Sequence, residues 1–185
     1  MQNGGFVLTG GRSTRMGRDK ALLPYRGRTL VEWVAGQVRD AAGDVRLVGA
    51  PERYGHLEIP CVVERYAGCG PLSGIEAALR EGGVEWSLIL ACDMPGVVAP
   101  FLKELLAAVG PDVDAVVAVD EAGRIEPLCA VYSARSLPAV QQALDAGSFA
   151  VRDVLHALRL ARVPAPAAHL VRNVNTDEEW AAWSR

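Results

Sequence analysis

The sequence predicts an α/β fold: a Rossmann-like three-layer αβα sandwich with a mainly parallel sheet, forming a single domain over residues 1–185. Short apolar runs rich in β-branched residues alternate with helical patterns, as in successive βαβ units. The length of 185 residues lies within the roughly 100 to 200 residues of one domain. Half of the residues are hydrophobic, 22% are charged and the mean hydropathy is +0.15, which allows a buried core and excludes intrinsic disorder.

The predicted elements follow in order along the chain. Strands are expected at Phe6 to Thr9, Val45 to Val48, Cys61 to Glu64, Leu88 to Ala91, Ala115 to Val119 and Leu128 to Tyr132. Helices are expected at Leu30 to Ala42, Leu72 to Arg80, Pro100 to Val109, Ser136 to Ala146 and Phe149 to Leu158. Thr29 is the predicted N-cap of the first helix. Thr176 opens a capping box for a last helix in which Trp180 and Trp183 are expected core anchors, and segment 161–170 is a predicted linker.

The charge of the chain is small in total but unevenly distributed. The net charge of −3 argues against a surface that coats nucleic acid. Six cations and one acid lie between Arg12 and Arg28, so this segment is positive and the rest of the chain is negative. A local anion site is therefore predicted there.

Other features of composition exclude further classes of protein. No apolar run approaches the roughly 20 residues of a membrane-spanning helix, and the N-terminus has no basic region typical of a signal peptide. The four cysteines form no C-x-x-C pair, and Cys92 and Cys129 are interpreted as buried thiols. We expect a cytoplasmic protein with neither a nucleic-acid partner nor a membrane partner.

The strongest functional signal lies directly after the first strand, in residues 8–20, LTGGRSTRMGRDK. The paired glycines Gly10 and Gly11 let backbone N–H groups approach a phosphate closely, and Arg15 and Lys20 are placed to neutralise charge during nucleotidyl transfer. Neither the Walker pattern nor G-x-G-x-x-G is present. This segment predicts a triphosphate-binding loop, with a solvated turn as the alternative.

A second signal is Asp93, which ends the apolar run from Trp86 to Cys92 and precedes Met94 and Pro95. A carboxylate at the carboxyl end of a strand suits Mg²⁺, which commonly takes one or two carboxylates together with substrate phosphates. The alternative is that Asp93 caps the turn before Pro95.

These residues lie in a pattern that resembles the molybdenum cofactor guanylyltransferases. The resemblance extends from about residue 5 to residue 184 and rests on five segments: Leu8 to Lys20, Gly70 to Ile75, Cys92 to Pro95, Glu126 to Tyr132 and Asn173 to Thr176. It implies transfer of GMP from GTP to the terminal phosphate of molybdopterin, with release of pyrophosphate. It also implies Mg²⁺ as cofactor, and cofactor-biosynthesis proteins and acceptor molybdoenzymes as further partners.

The resemblance assigns roles by position. It implies that the backbone of Leu8, Thr9 and Gly10 and the side chain of Lys20 hold the nucleotide. It further implies that Asp93 binds the metal, with Arg15 as the family's arginine. Asn173 and Asn175 match the family's N-V-N-T segment near the pterin side, although turn formation and capping explain them equally well.

Two positions depart from the family pattern. Glu64 stands where the family has a nucleotide-contacting Asp, so its side chain is one methylene longer than the family's. Val48 stands near the position of an Asn found in some members. Gly10 favours GTP, because related cytidylyltransferases typically have Ala there. Three alternatives stay open: cytidylyl transfer to molybdopterin, nucleotidyl transfer to a sugar phosphate, and a nucleotide-binding adaptor without turnover.

Overall fold

The computed structural model describes residues 2–10, 19–81, 83–167 and 169–183. Its strands are β1 (Asn3–Leu8), β2 (Pro24–Tyr25), β3 (Arg28–Thr29), β4 (Arg46–Val48), β5 (Cys61–Val62), β6 (Trp86–Ala91), β7 (Ala115–Val119), β8 (Ile125–Ser133) and β9 (Leu160–Pro164). Its α-helices are α1 (Leu30–Ala42), α2 (Pro51–Tyr54), α3 (Pro71–Glu81), α4 (Ala99–Ala107), α5 (Leu137–Asp145), α6 (Val151–His156) and α7 (Asp177–Trp183). Short 3₁₀ turns lie at Lys20–Leu22, Gly55–Leu57 and Ala134–Ser136.

Seven strands form one mainly parallel sheet in the order β5-β4-β1-β6-β8-β7-β9. β8 runs antiparallel to both of its neighbours, and the other neighbouring pairs are parallel. The carboxyl ends of β1, β4, β6 and β7 therefore lie at one edge of the sheet, beside the start of β8. In open α/β sheets this edge is where ligands bind.

Hydrophobic clusters cover both faces of the sheet. Along β1, Val7 belongs to one cluster, while Phe6 and Leu8 belong to the other, as the alternation of side chains along a strand requires. The first cluster takes in the apolar faces of α1 and α4, and the second takes in those of α3, α5 and α6. The three-layer α/β architecture predicted from the sequence is thus confirmed.

The ends of α1 follow from its sequence. The Thr29 side chain accepts a hydrogen bond from the Glu32 N–H, and the Glu32 carboxylate accepts one from the Thr29 N–H, so the two residues form a capping box. The helix ends at Gly43, which has a positive φ of 92° that glycine adopts readily. The predicted range 30–42 and the predicted N-cap are both confirmed.

The last helix also begins as predicted. The Glu179 N–H donates to the Thr176 hydroxyl (3.1 Å), and the Thr176 N–H donates to the Glu179 carboxylate (3.1 Å). Trp180 is buried and Trp183 is partly buried against the same core. Cys92 and Cys129 are buried free thiols, also as predicted.

The linker prediction for 161–170 was wrong, because β9 (Leu160–Pro164) occupies its first part and pairs in parallel with β7. β9 is a half-exposed edge strand, so it lacks a continuous apolar run. Its Pro164 lies at the strand end, where the missing N–H is tolerated. The β2–β3 hairpin was also missed, although its two-residue loop, Arg26 and Gly27, has positive φ at both positions and matches a common hairpin turn.

Among the described helices, none combines the length and hydrophobicity needed to cross a bilayer.

Candidate active site

Two of the predicted site residues, Leu8 and Asp93, lie at the ends of neighbouring strands at one edge of the sheet. Leu8 ends β1, and Asp93 follows the end of β6, its neighbour in the sheet. Lys20 starts the 3₁₀ turn that leads into the β2–β3 hairpin. Gly11 and Arg15 lie outside the described residues, so their predicted roles stay predictions.

The end of β1 is tied to the neighbouring strands. The Leu8 carbonyl accepts a hydrogen bond from the Cys92 N–H (3.0 Å). The Thr9 N–H (3.0 Å) and the Thr9 hydroxyl (2.8 Å) both donate to the Val48 carbonyl. The Thr9 side chain therefore holds β1 to β4 instead of facing a ligand. Gly10, which is exposed, is the first residue of the predicted loop whose backbone lies at the surface.

Glu64 lies across from Gly10. The Glu64 carboxylate would be 3.7 Å from a Cβ placed on Gly10, and it accepts a hydrogen bond from the Ser73 hydroxyl (2.8 Å). Ser73 and Gly74 belong to α3, and a Cβ on Gly74 would lie 2.7 Å from Leu8 Cδ2. Glycine at this position thus allows α3 to pack closely against the end of β1.

The Asp93 carboxylate carries a buried oxygen, Oδ1, without a hydrogen-bond partner among the described residues. Burial raises the pKa of the Asp93 carboxyl, and the positive charge of Lys20 partly opposes that rise. A buried carboxylate oxygen without a partner is costly unless a cation or a donor compensates it.

This environment fits a hard divalent cation such as Mg²⁺. No cluster of three metal-ligating side chains occurs in residues 2–10, 19–81, 83–167 and 169–183. Asp93 would therefore hold the ion together with substrate oxygens. This is the common arrangement for Mg²⁺.

Lys20 is held beside Asp93 by the C-terminal segment. Its Nζ donates to the Val174 carbonyl (3.2 Å) and to Asn175 Oδ1 (3.5 Å). The Val174 N–H donates to the Asp93 carbonyl (2.8 Å). The structure therefore brings three predicted residues together, Lys20, Asp93 and Asn175.

Asp19 fixes the turn that carries Lys20. Its Oδ1 accepts from the Ala21 N–H (3.1 Å), and its Oδ2 accepts from the Tyr54 hydroxyl (3.0 Å) and from Arg53. Burial, followed by the negative charge of Asp19, raises the pKa of the Tyr54 phenol, which therefore stays a hydrogen-bond donor. The base of the Lys20 turn is thus anchored to α2.

Asn173, the remaining predicted residue, lies apart from this contact set. It lines a cleft of about 520 Å³ together with Glu126, Arg124, Arg152 and Arg172. Burial is the main cause of a raised pKa of the Glu126 carboxyl, with Asp120 and Asp93 adding to the rise and Arg124 and Arg152 opposing it.

Apart from Asn173, sequence reasoning gave these cleft residues no role. Glu126 stands in the segment Glu126 to Tyr132 of the family pattern, and the sequence carried no separate signal for its place. The structure brings it near Asp93, whose charge adds to the rise of the Glu126 pKa.

Comparisons with known proteins identify the family of the chain. A family model of the MobA-like NTP transferase domain matches residues 5–163. The chain belongs to this family. The predicted nucleotidyltransferase class is thereby confirmed.

Curated relatives match this MobA-like chain over most of its length. A probable molybdenum cofactor guanylyltransferase of Nostoc sp. is 35% identical over 183 residues, covering 95% of this chain and 87% of the relative. Another, of Carboxydothermus hydrogenoformans, is 38% identical over 138 residues, covering 75% of this chain and 69% of the relative. The family resemblance drawn from the sequence is confirmed by these matches.

The fold of this MobA-like chain also matches a solved structure. The molybdopterin-guanine dinucleotide biosynthesis protein A of Archaeoglobus fulgidus superposes with a TM-score of 0.80 at 24% identity, covering 98% of this chain and 96% of that protein.

Proposed function

We propose that this chain transfers GMP from GTP to molybdopterin and releases pyrophosphate. The observation that carries the proposal is that Val174 holds the Lys20 ammonium near Asp93, at the end of β6: it accepts from Lys20 Nζ and donates to the Asp93 backbone carbonyl. The positive charge of Lys20 acts there on the Asp93 carboxyl. Relatives named molybdenum cofactor guanylyltransferase, at 35% and 38% identity, support this choice of donor and acceptor. The proposal takes residues 1–185 as one nucleotidyltransferase domain acting in the cytoplasm.

The chain's own residues position and neutralise the reactants. An ammonium group has three N–H donors, and two of those of Lys20 are engaged with Val174 and Asn175. The third would donate to a phosphate oxygen of GTP and stabilise the charge that builds up there. Arg15 would add a second positive charge from the preceding loop.

The transfer needs no covalent intermediate with the protein. The terminal phosphate oxygen of molybdopterin attacks the α-phosphorus of GTP in line, and a new P–O bond forms as the bond to the bridging α–β oxygen breaks. The electron pair of the broken bond leaves with pyrophosphate. Mg²⁺, when bound at Asp93, would neutralise phosphate charge and orient the reacting oxygens.

The binding surfaces for the two substrates would lie on either side of Asp93. Gly10 and Gly11 would contact the nucleotide, supported by the Leu8–Thr9 backbone at the end of β1, with Glu64 reaching a ribose hydroxyl or the guanine edge. Asn173 and Asn175 would face the acceptor. Cofactor-biosynthesis proteins that deliver molybdopterin, and molybdoenzymes that receive the product, are the partners that such a reaction requires.

The test is a product assay with purified protein, Mg²⁺, molybdopterin and each NTP in turn. We expect pyrophosphate release and a guanine dinucleotide product with GTP. Release with CTP and not with GTP would replace the proposal with cytidylyl transfer. The assay has to decide the base, because Val48 is buried and its side chain offers no hydrogen bond that would select one. Turnover with a sugar phosphate in place of molybdopterin would overturn the choice of acceptor.

A further inference from the structure

The peptide groups of Val174 link the Lys20 ammonium to the backbone of Asp93. The Val174 N–H donates to the Asp93 carbonyl (2.8 Å), and the Val174 carbonyl accepts from Lys20 Nζ (3.2 Å). A long, flexible lysine side chain loses much conformational freedom when its ammonium is held in one place. The position of Lys20 therefore depends on how firmly the Val174 peptide groups are held.

One carboxylate fixes the backbone that follows Val174. Glu179, in the first turn of α7, accepts hydrogen bonds from the Asn175 N–H (2.6 Å) and from the Thr176 N–H (3.1 Å). These N–H groups, followed by the charge of Arg172, lower the pKa of the Glu179 carboxyl, so it is ionised at neutral pH. Its interaction with two consecutive peptides sets the direction of the chain at Val174.

α7 is in turn docked on the segment that carries Lys20. The Trp183 indole N–H donates to the Tyr25 hydroxyl (3.0 Å), and the Trp180 ring lies 5.6 Å from the Tyr25 ring. Tyr25 belongs to β2, which follows the Lys20 turn directly. The C-terminal segment 174–183 and the Lys20 segment thus contact each other at two places: α7 contacts Tyr25, and the residues before α7 contact Lys20.

We infer that Glu179 is a positioning residue for Lys20. Through Asn175 and Thr176 it holds the Val174 carbonyl where that carbonyl orients the Lys20 ammonium beside Asp93. Two of the Lys20 donors are then fixed, one by the Val174 carbonyl and one by Asn175 Oδ1. The consequence for catalysis rests on the proposed function; the effect on Lys20 itself does not.

The amino-acid sequence offers a direct measurement, because it contains only two lysines, Lys20 and the exposed Lys103. We would treat the free protein with acetic anhydride and measure the acylation rate of each lysine by mass spectrometry. The hydrogen bonds of Lys20 must break before its amine reacts. In Glu179→Ala the Lys20:Lys103 rate ratio is expected to rise about threefold, the scale of one modest hydrogen bond.

A matched control separates positioning from helix capping in general. Glu32→Ala removes the equivalent carboxylate from the capping box of α1 and is expected to leave the ratio unchanged. Glu179→Gln keeps a side-chain acceptor for the two peptides and should bring the ratio back toward that of the wild type. An unchanged ratio in Glu179→Ala, or an equal rise in Glu32→Ala, would overturn the inference.

A second variant covers the case in which Glu179→Ala loses α7 altogether. Trp183→Phe keeps an aromatic ring but removes the N–H that bonds to Tyr25, and circular dichroism would verify that the helix persists. We expect the Lys20:Lys103 ratio to rise here too, by less than in Glu179→Ala. A wild-type ratio in Trp183→Phe would overturn the role of α7 docking.

Kinetics then test the catalytic consequence. In the wild-type background Glu179→Ala should lower kcat/KM for GTP about threefold, whereas in a Lys20→Met background it should lower it no further, because its effect passes through Lys20. An additive loss in the double variant would contradict the inference. A wild-type protein without nucleotidyl transfer would overturn the proposed function alone, and the labelling ratio would still decide the positioning role.

Discussion

The Glu64 carboxylate accepts a hydrogen bond from the Ser73 hydroxyl at 2.8 Å and lies opposite the exposed Gly10. This contact holds the longer acidic side chain against the start of α3. The carboxylate is thereby fixed near the backbone where the family resemblance expects the nucleotide.

We therefore predict that Glu64→Ala raises KM for GTP about tenfold and leaves kcat nearly unchanged, because a charge-assisted hydrogen bond to the ribose or base is lost. Initial rates of pyrophosphate release at varied GTP concentration measure both constants. Ser73→Ala is the matched control. It keeps the carboxylate but removes its support, so it should raise KM by less. An unchanged KM in Glu64→Ala would place this carboxylate outside the nucleotide contact.

Asp93→Asn should lower activity about a hundredfold or more, because the carboxylate that would hold Mg²⁺ is lost. The same change should raise the Tm of the metal-free protein at pH 7. Burial raises the folded-state pKa of Asp93, so the ionised group destabilises the folded protein once the pH exceeds its ordinary value of 3.8. The gain in Tm should vanish below that pH. Thermal melting across this range measures it.

Magnesium supplies the complementary measurement on Asp93. Added Mg²⁺ should raise the Tm of the wild type, because an ion that binds the folded state stabilises it, and should leave the Tm of Asp93→Asn unchanged. Asp114→Asn, at a carboxylate bonded to Arg159, should respond to Mg²⁺ as the wild type does. Equal stabilisation of the Asp93→Asn protein would exclude Asp93 as the metal ligand.

The sequence was enough to predict the positions of groups that depend on a local pattern of residues. The apolar run before Asp93 predicts a strand and therefore places the carboxylate at the ligand edge, and the periodicity of residues 30–42 predicts α1 with both ends. Backbone contacts carry no such signal. The peptide groups of Val174, which hold Lys20 beside Asp93, are common to all residue types and become visible only when the C-terminal segment is docked.

Two other features depend on how the strands are arranged in the sheet, which the sequence leaves undetermined. Glu126 stands beside the end of β6 because β8 runs antiparallel to its neighbours, whereas the sequence alternation indicated a mainly parallel sheet. β9 was missed because an edge strand needs neither a continuous apolar run nor a full set of N–H donors.

At the far edge of the sheet, we expect the Asp114–Arg159 pair to make stability depend on pH. Hydrogen bonds from Arg159 hold the pKa of Asp114 at about 2, below its ordinary value of 3.8. A lowered folded-state pKa stabilises the protein above pH 3.8, and that contribution is lost as the pH falls toward 2. The pair is partly exposed, so Arg159→Met should lower the free energy of unfolding only modestly at pH 7.

Urea unfolding of the Arg159→Met variant at several pH values measures this contribution. Its deficit in unfolding free energy relative to the wild type should shrink as the pH approaches 2. Arg162→Met, an exposed change on the same strand region, serves as the control and should show no such trend. A deficit that is independent of pH would show that the pair does not contribute through its charge.

Finally, Gly49 and Thr9 should prove energetically coupled. A Cβ on Gly49 would lie 2.2 Å from Thr9 Oγ1, so Gly49→Ala should destabilise the protein by about 3 kcal/mol through overpacking. Thr9→Ala removes the hydroxyl bonded to Val48 and should cost about 1 kcal/mol. In the double variant the clashing oxygen is absent. Its loss of unfolding free energy should therefore be smaller than the sum of the two single losses, by about 1 kcal/mol or more. Chemical denaturation of the four proteins measures this coupling. Strict additivity would mean that the backbone at Gly49, and not the Thr9 hydroxyl, limits what this position accepts.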